Sequence, residues 1–271
     1  MDNTLNLSNI LHYFPQDHSW GKTIQCFDCV DSTNTRAKEL AIQGAAHGTV
    51  LIADRQTGGR GRMGRSFLSP GGMGIYLSVI LRPNCPPQKL MHLTCAAGVT
   101  MCDAVERITG ARPRIKWTND LVFGRKKVAG ILTELSLDIK TGLIAYAVVG
   151  IGINCCQSEG DFPPELGDIA TSLAMVTGKP IDRAKLAAAM IEALAEMDGR
   201  LHEKAAILDS YRVDCVTLGK EISLVRDGKE VFHGTALDID GEGALVVQFQ
   251  DGHTEAVSSG EVSVRGMYGY A

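Results

Sequence analysis

DRQTGGRGRMGRSFLSPGGMG, residues 54–74, carries seven glycines and four arginines in one run. After Asp54 the next carboxylate is Asp103, so positive charge is concentrated here although the chain as a whole carries a formal charge of -4. Glycine lets backbone N–H groups approach a ligand closely. Arginine presents a planar fork of donors that matches carboxylate and phosphate. The stretch reads as an anion cradle able to order around its ligand. Its plainer alternative is a solvated surface loop.

Gly59, Gly61 and Gly64 also match G-x-G-x-x-G, and the strand-like VLIAD at 50–54 precedes them. A dinucleotide site would need a helix next and an acidic residue about 20 positions on. Instead Ser69-Pro70-Gly71-Gly72 breaks the chain, and IYLSVIL at 75–81 reads as a further strand. The nicotinamide reading is rejected. The glycine run is a loop between two strands, and a sheet must be built around it.

Upstream, TIQCFDCV (23–30) reads as a strand, and Asp31-Ser32-Thr33-Asn34 supplies cap chemistry for a helix facing inward through Ala37, Leu40 and Ala41. Residues 1–22 form a short helix or an extended arm. Downstream, Leu90, Leu93, Ala97, Met101, Ala104 and Ile108 fall at helical spacing and predict a helix over 88–109. Residues 112–117 alternate as a half-buried strand. Residues 118–120 form a turn, and 121–123 are short and apolar. Residues 127–136 and 143–150 read as long strands, the second nearly all apolar and hence central. Gly150 to Asn154 closes it. Helices are predicted at 169–176 and from Asp182 to about 204. From 215 the texture changes to short strands, with Asp-Gly turns at 227, 240 and 251. A five-stranded barrel of the small SH3-like kind is expected over 216–265, with the boundary near 211–216.

A chain of 271 residues with 45% hydrophobic content folds around a sizeable core, as one large domain or a large one with a small one. The pI of about 6.0 argues against general nucleic-acid binding. No Lys or Arg precedes Lys22 and no run of about 18 apolar residues occurs, so neither a secretory leader nor a membrane span is predicted. The eight cysteines are scattered, and Cys26-x-x-Cys29 has no second pair at zinc spacing. Reduced thiols in a cytoplasmic protein without a metal site are expected.

Five motifs stand in order: DSTN at 31–34, QTGGRGRMGR at 56–65, KWTND at 116–120, KKVAGILTE at 126–134 and GIGIN at 150–154. Together they resemble the biotin–protein ligases, over residues 24–265. The resemblance implies an α+β fold: a mixed-sheet catalytic domain with packed helices, class II aminoacyl-tRNA synthetase-like, over residues 1–214, then an SH3-like barrel over 215–271. It implies ATP, biotin and Mg²⁺ as reactants. Biotin is activated to biotinyl-5′-AMP and passed to a lysine of the biotin carboxyl carrier protein of acetyl-CoA carboxylase or a related carboxylase. By the same resemblance Ser32, Thr33, Asn34, Gln56, Arg60, Gly61, Arg62 and Lys127 bind biotin. Gly59, Arg62, Arg65, Lys116, Asn119, Gly152 and Asn154 bind the nucleotide, and Arg60, Arg62, Lys127 and Asp120 carry catalysis. Such chemistry needs fixed positive charge and no protein nucleophile, which suits a sequence with no Ser-His-Asp or Cys-His set.

Each residue keeps a structural alternative. Ser32 caps a helix, Lys127 can be a surface lysine beside Lys126, Trp117 can be core, Asp120 can serve a turn, and Gly150 and Gly152 can let a strand end. Thr118 stands where the family usually has proline, a change that loosens that turn but removes no ligand group. Some relatives carry an N-terminal DNA-binding domain. The 22 residues ahead of the first predicted strand leave no room for one, and a monofunctional ligase without nucleic-acid or membrane partners is expected. A homodimer is left open. The rivals are a lipoate–protein ligase or octanoyl transferase of related fold, a non-catalytic biotin-binding regulator, and a plain nucleotide-binding module.

Overall fold

The computed structural model describes residues 3–226, 230–258 and 261–264. A short helix α1 (Leu7–Tyr13) leads into β1 (Ile24–Val30), α2 (Thr33–Ile42) and β2 (Thr49–Gln56). β1 and β2 pair in parallel, from Ile24 opposite Val50 to Val30 opposite Gln56. Parallel neighbours require a crossover, and α2 supplies it. The glycine run then joins β2 to its antiparallel neighbour β3 (Gly74–Leu81). Next come α3 (Leu93–Thr109), β4 (Arg114–Lys116), β5 (Asp120–Phe123), β6 (Lys126–Leu137) and β7 (Ile144–Asn154). Among the described residues these strands make one seven-stranded mixed sheet in the order β1-β2-β3-β7-β6-β5-β4. All eight residues of β3 are buried, as a central strand covered on both faces requires.

The period-two alternation sorts these strands' side chains between two layers. Leu51, Ile80 and Val148 point to a small cluster with Ala37 and Ala41 of α2. Val50, Ile52, Val79 and Val149 point to the main core with α3 and α6. That α6 (Arg183–Arg200) follows two short helices, α4 (Pro164–Gly167) and α5 (Leu173–Thr177), and precedes α7 (Lys204–Asp214). Asp182 caps α6, its carboxylate accepting from Lys185 N at 2.9 Å. The Trp117–Thr118 peptide is cis.

Several boundaries differ from those expected. The helix expected over 88–109 begins at Leu93, because Pro87–Leu90 forms a separate 3-10 turn and buried His92 meets the Leu201 carbonyl. The helix expected from 182 to about 204 ends at Arg200, and a further helix that was not expected, α7, follows it. Leu201 stays in phase with Leu194 and Met197, so the apolar spacing hides the turn that lets α7 bury Leu208 and Tyr211. Gly150 to Asn154 does not end the central strand; it is the paired second half of β7.

The C-terminal strands are β8 (Glu221–Arg226), β9 (Glu230–Ile239), β10 (Leu245–Phe249), β11 (Thr254–Val257) and β12 (Glu261–Val264), an antiparallel sheet in the order β11-β10-β9-β8-β12. Asp240-Gly241 turns β9 into β10 and Asp251-Gly252 turns β10 into β11. The expected turn at Asp227-Gly228 and the expected end of the barrel at Arg265 lie outside the described residues. This sheet is joined to the larger one by Val216 N donating to Ile115 O at 2.8 Å. Trp117 N donates to Thr217 Oγ1 at 2.9 Å, and Trp117 Nε1 to Gly243 O at 3.2 Å. Leu224, Ala236 and Val247 belong to the same apolar cluster as Ile115 and Trp117.

Candidate active site

The end of β2 and the start of α2 meet under the glycine loop. Ser32 caps α2, its hydroxyl accepting from Thr35 N at 3.4 Å. Thr33 and Asn34 are both 4% exposed, so their polar groups must be paired internally. Gln56 Oε1 accepts from Thr33 N at 2.8 Å and from Thr33 Oγ1 at 3.1 Å. Gln56 Nε2 donates to Ser69 Oγ at 3.0 Å. Ser78 donates to Asn34 Oδ1 at 2.6 Å, and Asn34 Nδ2 donates to Glu134 Oε2 at 3.0 Å. Burial would raise the Glu134 carboxyl, but hydrogen bonds from Lys38 and Asn34 outweigh it and hold the group below its ordinary value. Asn34 is thereby locked by an ionised partner.

The glycine loop is folded back on itself. Gly61 N donates to Arg65 O at 2.7 Å, Phe67 N to Gly59 O at 2.9 Å, and Arg60 bridges Ser66. Its base is anchored through Asp54, which accepts from Gly72 N at 2.9 Å and pairs with buried Arg183 at 2.6 Å. Met63, at the loop's tip, is 59% exposed. From the loop Arg62 Nη1 donates to Thr118 Oγ1 at 3.0 Å and Asn119 Oδ1 at 3.2 Å. Thr118 therefore does more than leave the ligand groups intact: it supplies an acceptor.

Lys127 Nζ pairs with Asp120 Oδ1 at 2.6 Å. A register shift makes this geometry. Leu121 pairs with Ala129, but Val122 pairs with Lys127, so Val128 is an extra residue in β6. Such a bulge re-aims side chains. Lys127 and Gly130, three apart, come to one side, and a Cβ on Gly130 would lie 3.0 Å from Lys127 Nζ. The lysine points over the Phe67 ring, 5.9 Å from its centre.

These groups enclose a cavity of about 150 Å³. From the first turn of α2 and the end of β2 it takes Ser32, Thr33, Asn34 and Gln56. The loop contributes Arg60, Gly61, Arg62 and Arg65, and the far strands Lys116, Asn119, Asp120, Lys127 and Gly152. Ile131, Leu132 and Ile151 make an apolar wall. Five cationic residues face one carboxylate, Asp120, among the lining, in a chain of net charge -4. The cavity focuses anions.

Two expected site residues lie elsewhere. Gly59 does not line the cavity: it is packed beneath the loop, where a Cβ would meet Phe67 O at 2.4 Å and Ser69 Oγ at 2.6 Å. Asn154 is buried behind it, donating to Thr171 O at 3.0 Å and accepting from Gln157 at 3.1 Å. It fastens the end of β7 to the segment before α5. Conversely, Met63, Ser66 and Phe67 line the cavity without having been singled out. Phe67 is the one aromatic residue in 54–74, a signal that could have marked it. Gly150 and Gly152 leave room for other groups. A Cβ on Gly150 would lie 1.8 Å from Asn34 Oδ1, and one on Gly152 would lie 2.6 Å from the Phe67 ring.

Thiol chemistry is disfavoured at half-buried Cys26 and buried Cys95. Burial pushes the Cys26 thiol up to about 11 and the Cys95 thiol up to about 12, leaving both protonated at neutral pH. No cluster of three or more metal-ligating side chains occurs among the described residues. No described helix is long and apolar enough to cross a membrane.

Residues 26–154 match the biotin/lipoate A/B protein ligase family, and residues 217–265 match the biotin protein ligase C terminal domain. The chain is 39% identical over 227 residues to the bifunctional ligase/repressor BirA of Bacillus spizizenii, covering 83% of this chain and 69% of that one. It is 32% identical over 240 residues to the biotin–[acetyl-CoA-carboxylase] ligase of Mycobacterium tuberculosis, covering 85% of each. Among solved structures, the biotin protein ligase from Aquifex aeolicus in complex with biotin and ATP superposes with a TM-score of 0.75 at 34% identity. That match covers 90% of this chain and 99% of the other.

Proposed function

The chain belongs to the biotin protein ligases of the biotin/lipoate A/B protein ligase family, and from that premise we propose how its cavity divides the work. The protein is an ATP-dependent biotin–protein ligase. In the first step a biotin carboxylate oxygen bonds to the α-phosphorus of ATP, the bond to the β-phosphate oxygen breaks, and pyrophosphate leaves. In the second a lysine amine bonds to the acyl carbon, AMP leaves, and the amine gives up a proton. The acceptor we propose is the carrier protein of acetyl-CoA carboxylase or a related carboxylase, from the names of the ligases it resembles.

The observation that carries this reading is the make-up of the cavity: hydroxyl and amide groups from α2 and the end of β2, five cations from the loop and the far strands, and an apolar wall. The ureido ring of biotin has two N–H donors and a carbonyl. Ser32, Thr33, Asn34 and Gln56 offer both donors and acceptors to it. Ile131, Leu132 and Ile151 cover the thiophane ring and valeryl chain. Lys127 and Arg60 take the carboxylate and hold it against the α-phosphate. Arg62, Arg65 and Lys116 lie on the phosphate side. Asp120 keeps the Lys127 ammonium aimed. Two anions must be brought together, so fixed cations stabilise the transition state more than the separated reactants. Mg²⁺ usually binds through one or two carboxylates plus substrate phosphates. Asp120, the one acid in the lining, and the Asn119 side-chain oxygen fit an ion carried in by the triphosphate, whose charge it would neutralise. Eight free cysteines support a reducing compartment, and we place the protein in the cytoplasm.

Exchange of labelled pyrophosphate into ATP tests the first step. It is expected with biotin and absent without it. Exchange with lipoate and none with biotin would overturn the assignment.

Loop closure is a separate expectation. The exposed Met63 and the cations beside it can fold over an adenylate, ordering the loop and excluding water from the acyl phosphate. Trypsin cleavage after Arg60, Arg62 and Arg65 should slow by about tenfold or more with biotin and Mg²⁺-ATP, and by less with ATP alone. Unchanged cleavage would mean that the loop does not close on the ligand.

A further inference from the structure

Thr118 has a place that the ligand cavity does not account for. It does not line that cavity; it lines a second one of about 190 Å³ between α3, β6 and the turn at 240–244. Arg62 lines both. The Thr118 hydroxyl accepts from Arg62 Nη1 at 3.0 Å, on a residue that lines the second cavity and not the first. The backbone that carries the hydroxyl is firmly placed. Tyr211, fully buried, donates to the Thr118 carbonyl at 2.9 Å, and Trp117 N donates to Thr217 Oγ1 at 2.9 Å. The acceptor thus stands on backbone held by the packed core, whereas Arg62 belongs to a loop that starts beyond the end of β2.

We propose that Thr118 is a positioning residue for the ligase reaction, its hydroxyl holding the Arg62 guanidinium in the cavity wall before ATP arrives. A long, flexible side chain loses conformational freedom when it first engages a ligand. Docked on that hydroxyl, Arg62 has lost that freedom already, and the phosphate meets a preorganised charge. Asn119 Oδ1, the second acceptor at 3.2 Å, fixes the direction of the same nitrogen. The role acts through Arg62 and rests on the ligase reading of the cavity.

The test compares Thr118→Val, which keeps the branched shape and loses the hydroxyl, with Thr118→Ser, which keeps the hydroxyl. Pyrophosphate exchange and thermal unfolding are measured for each. Thr118→Val should raise the KM for ATP about tenfold, the size of one hydrogen bond to a charged group, with kcat within about threefold. Its ligand-free cleavage by trypsin after Arg62 should rise. Thr118→Ser should behave as the parent protein does in both. In an Arg62→Ala background, Thr118→Val should add nothing. The proposal is overturned by equal behaviour of the Val and Ser variants. A kcat loss at unchanged KM, or a further loss in the Arg62→Ala background, would overturn it as well. Should Thr118→Val not fold, Thr118→Ala is the hydroxyl-free variant held to the same outcomes. Loss of biotin dependence in the parent protein would count against the ligase reading itself, not against Thr118.

Discussion

Lys127→Met is expected to slow adenylate formation by a factor on the order of a hundred or more, the usual cost of removing a group aimed at developing charge. The fold should survive. The Lys127–Asp120 pair is partly exposed, with side-chain exposures of 30% and 21%, and such pairs contribute little to stability. The built-in control is the neighbouring residue. Lys126 turns the other way, its Nζ donating to Gly167 O at 2.7 Å at the end of α4. Lys126→Met should therefore leave the rate within about threefold, as a surface change far from the reacting atoms does. Single-turnover formation of the adenylate, with thermal unfolding as the check on folding, separates the two. Equal losses at both positions would mean that general surface charge, not a placed ammonium, assists the reaction.

The contrast between these two lysines also shows where sequence reading reaches its limit. Simple alternation places Lys127 with Ala129 and Ile131 and opposite Gly130. The extra residue Val128 breaks that phase and turns Lys127 to the side of Gly130. Nothing in KKVAG announces a bulge, because the bulge is fixed by the pairing of β6 with β5. Local signals were better readable. Ser32 at the start of α2, Asp182 at the start of α6 and the Asp-Gly turns at 240 and 251 each act over a few residues, and each appears where the chain's chemistry puts it. The apolar run of β7 marked a central strand for the same reason: its burial depends on its own side chains.

Non-local facts were not readable in this way. Apolar spacing carries the expected helix past Arg200 because Leu201 remains in phase, and α7 was not expected at all. The place of Asn154 depends on Thr171 and Gln157, and that of Gly59 on Phe67 and Ser69. The motifs brought both residues into the expected site because they sit close to cavity-lining residues in the chain. In space, one step along a strand or loop puts a side chain on the other face. Phe67 was overlooked for the converse reason. It lies past the arginines, in a segment whose composition speaks only of flexibility, yet the loop's return brings its ring against Gly152 and near Lys127.

Gly150→Ala is expected to abolish measurable biotin binding, a loss of at least about a hundredfold, while Gly199→Ala on α6 leaves it unchanged. The new Cβ would lie 1.8 Å from Asn34 Oδ1 and 2.6 Å from Asn34 Cγ. That separation cannot be accommodated, so Asn34 must leave. Its place is held by Ser78 donating to Oδ1 and by Nδ2 donating to Glu134 and Leu132 O. Expelling it breaks the Ser78–Asn34 contact in a site that is 0% exposed at Ser78, whose hydroxyl keeps Thr33 Oγ1 at 2.8 Å as its partner. Overpacking and a lost buried hydrogen bond each cost about 1–3 kcal/mol, so thermal stability should fall as well. Gly199 has nothing within 4 Å of its added Cβ, and alanine favours a helix there by about 0.5–1 kcal/mol. Gly152→Ala falls between the two. Its Cβ meets the Phe67 ring at 2.6 Å, but Phe67 sits on the loop and can swing aside, so affinity should drop with little loss of stability. Calorimetric titration with biotin, set beside thermal unfolding of the same three variants, reads this order directly. A folded Gly150→Ala protein that binds biotin as tightly as its parent would remove Asn34 from the proposed biotin site, and with it a member of the hydroxyl and amide set on which the assignment of the ureido ring depends.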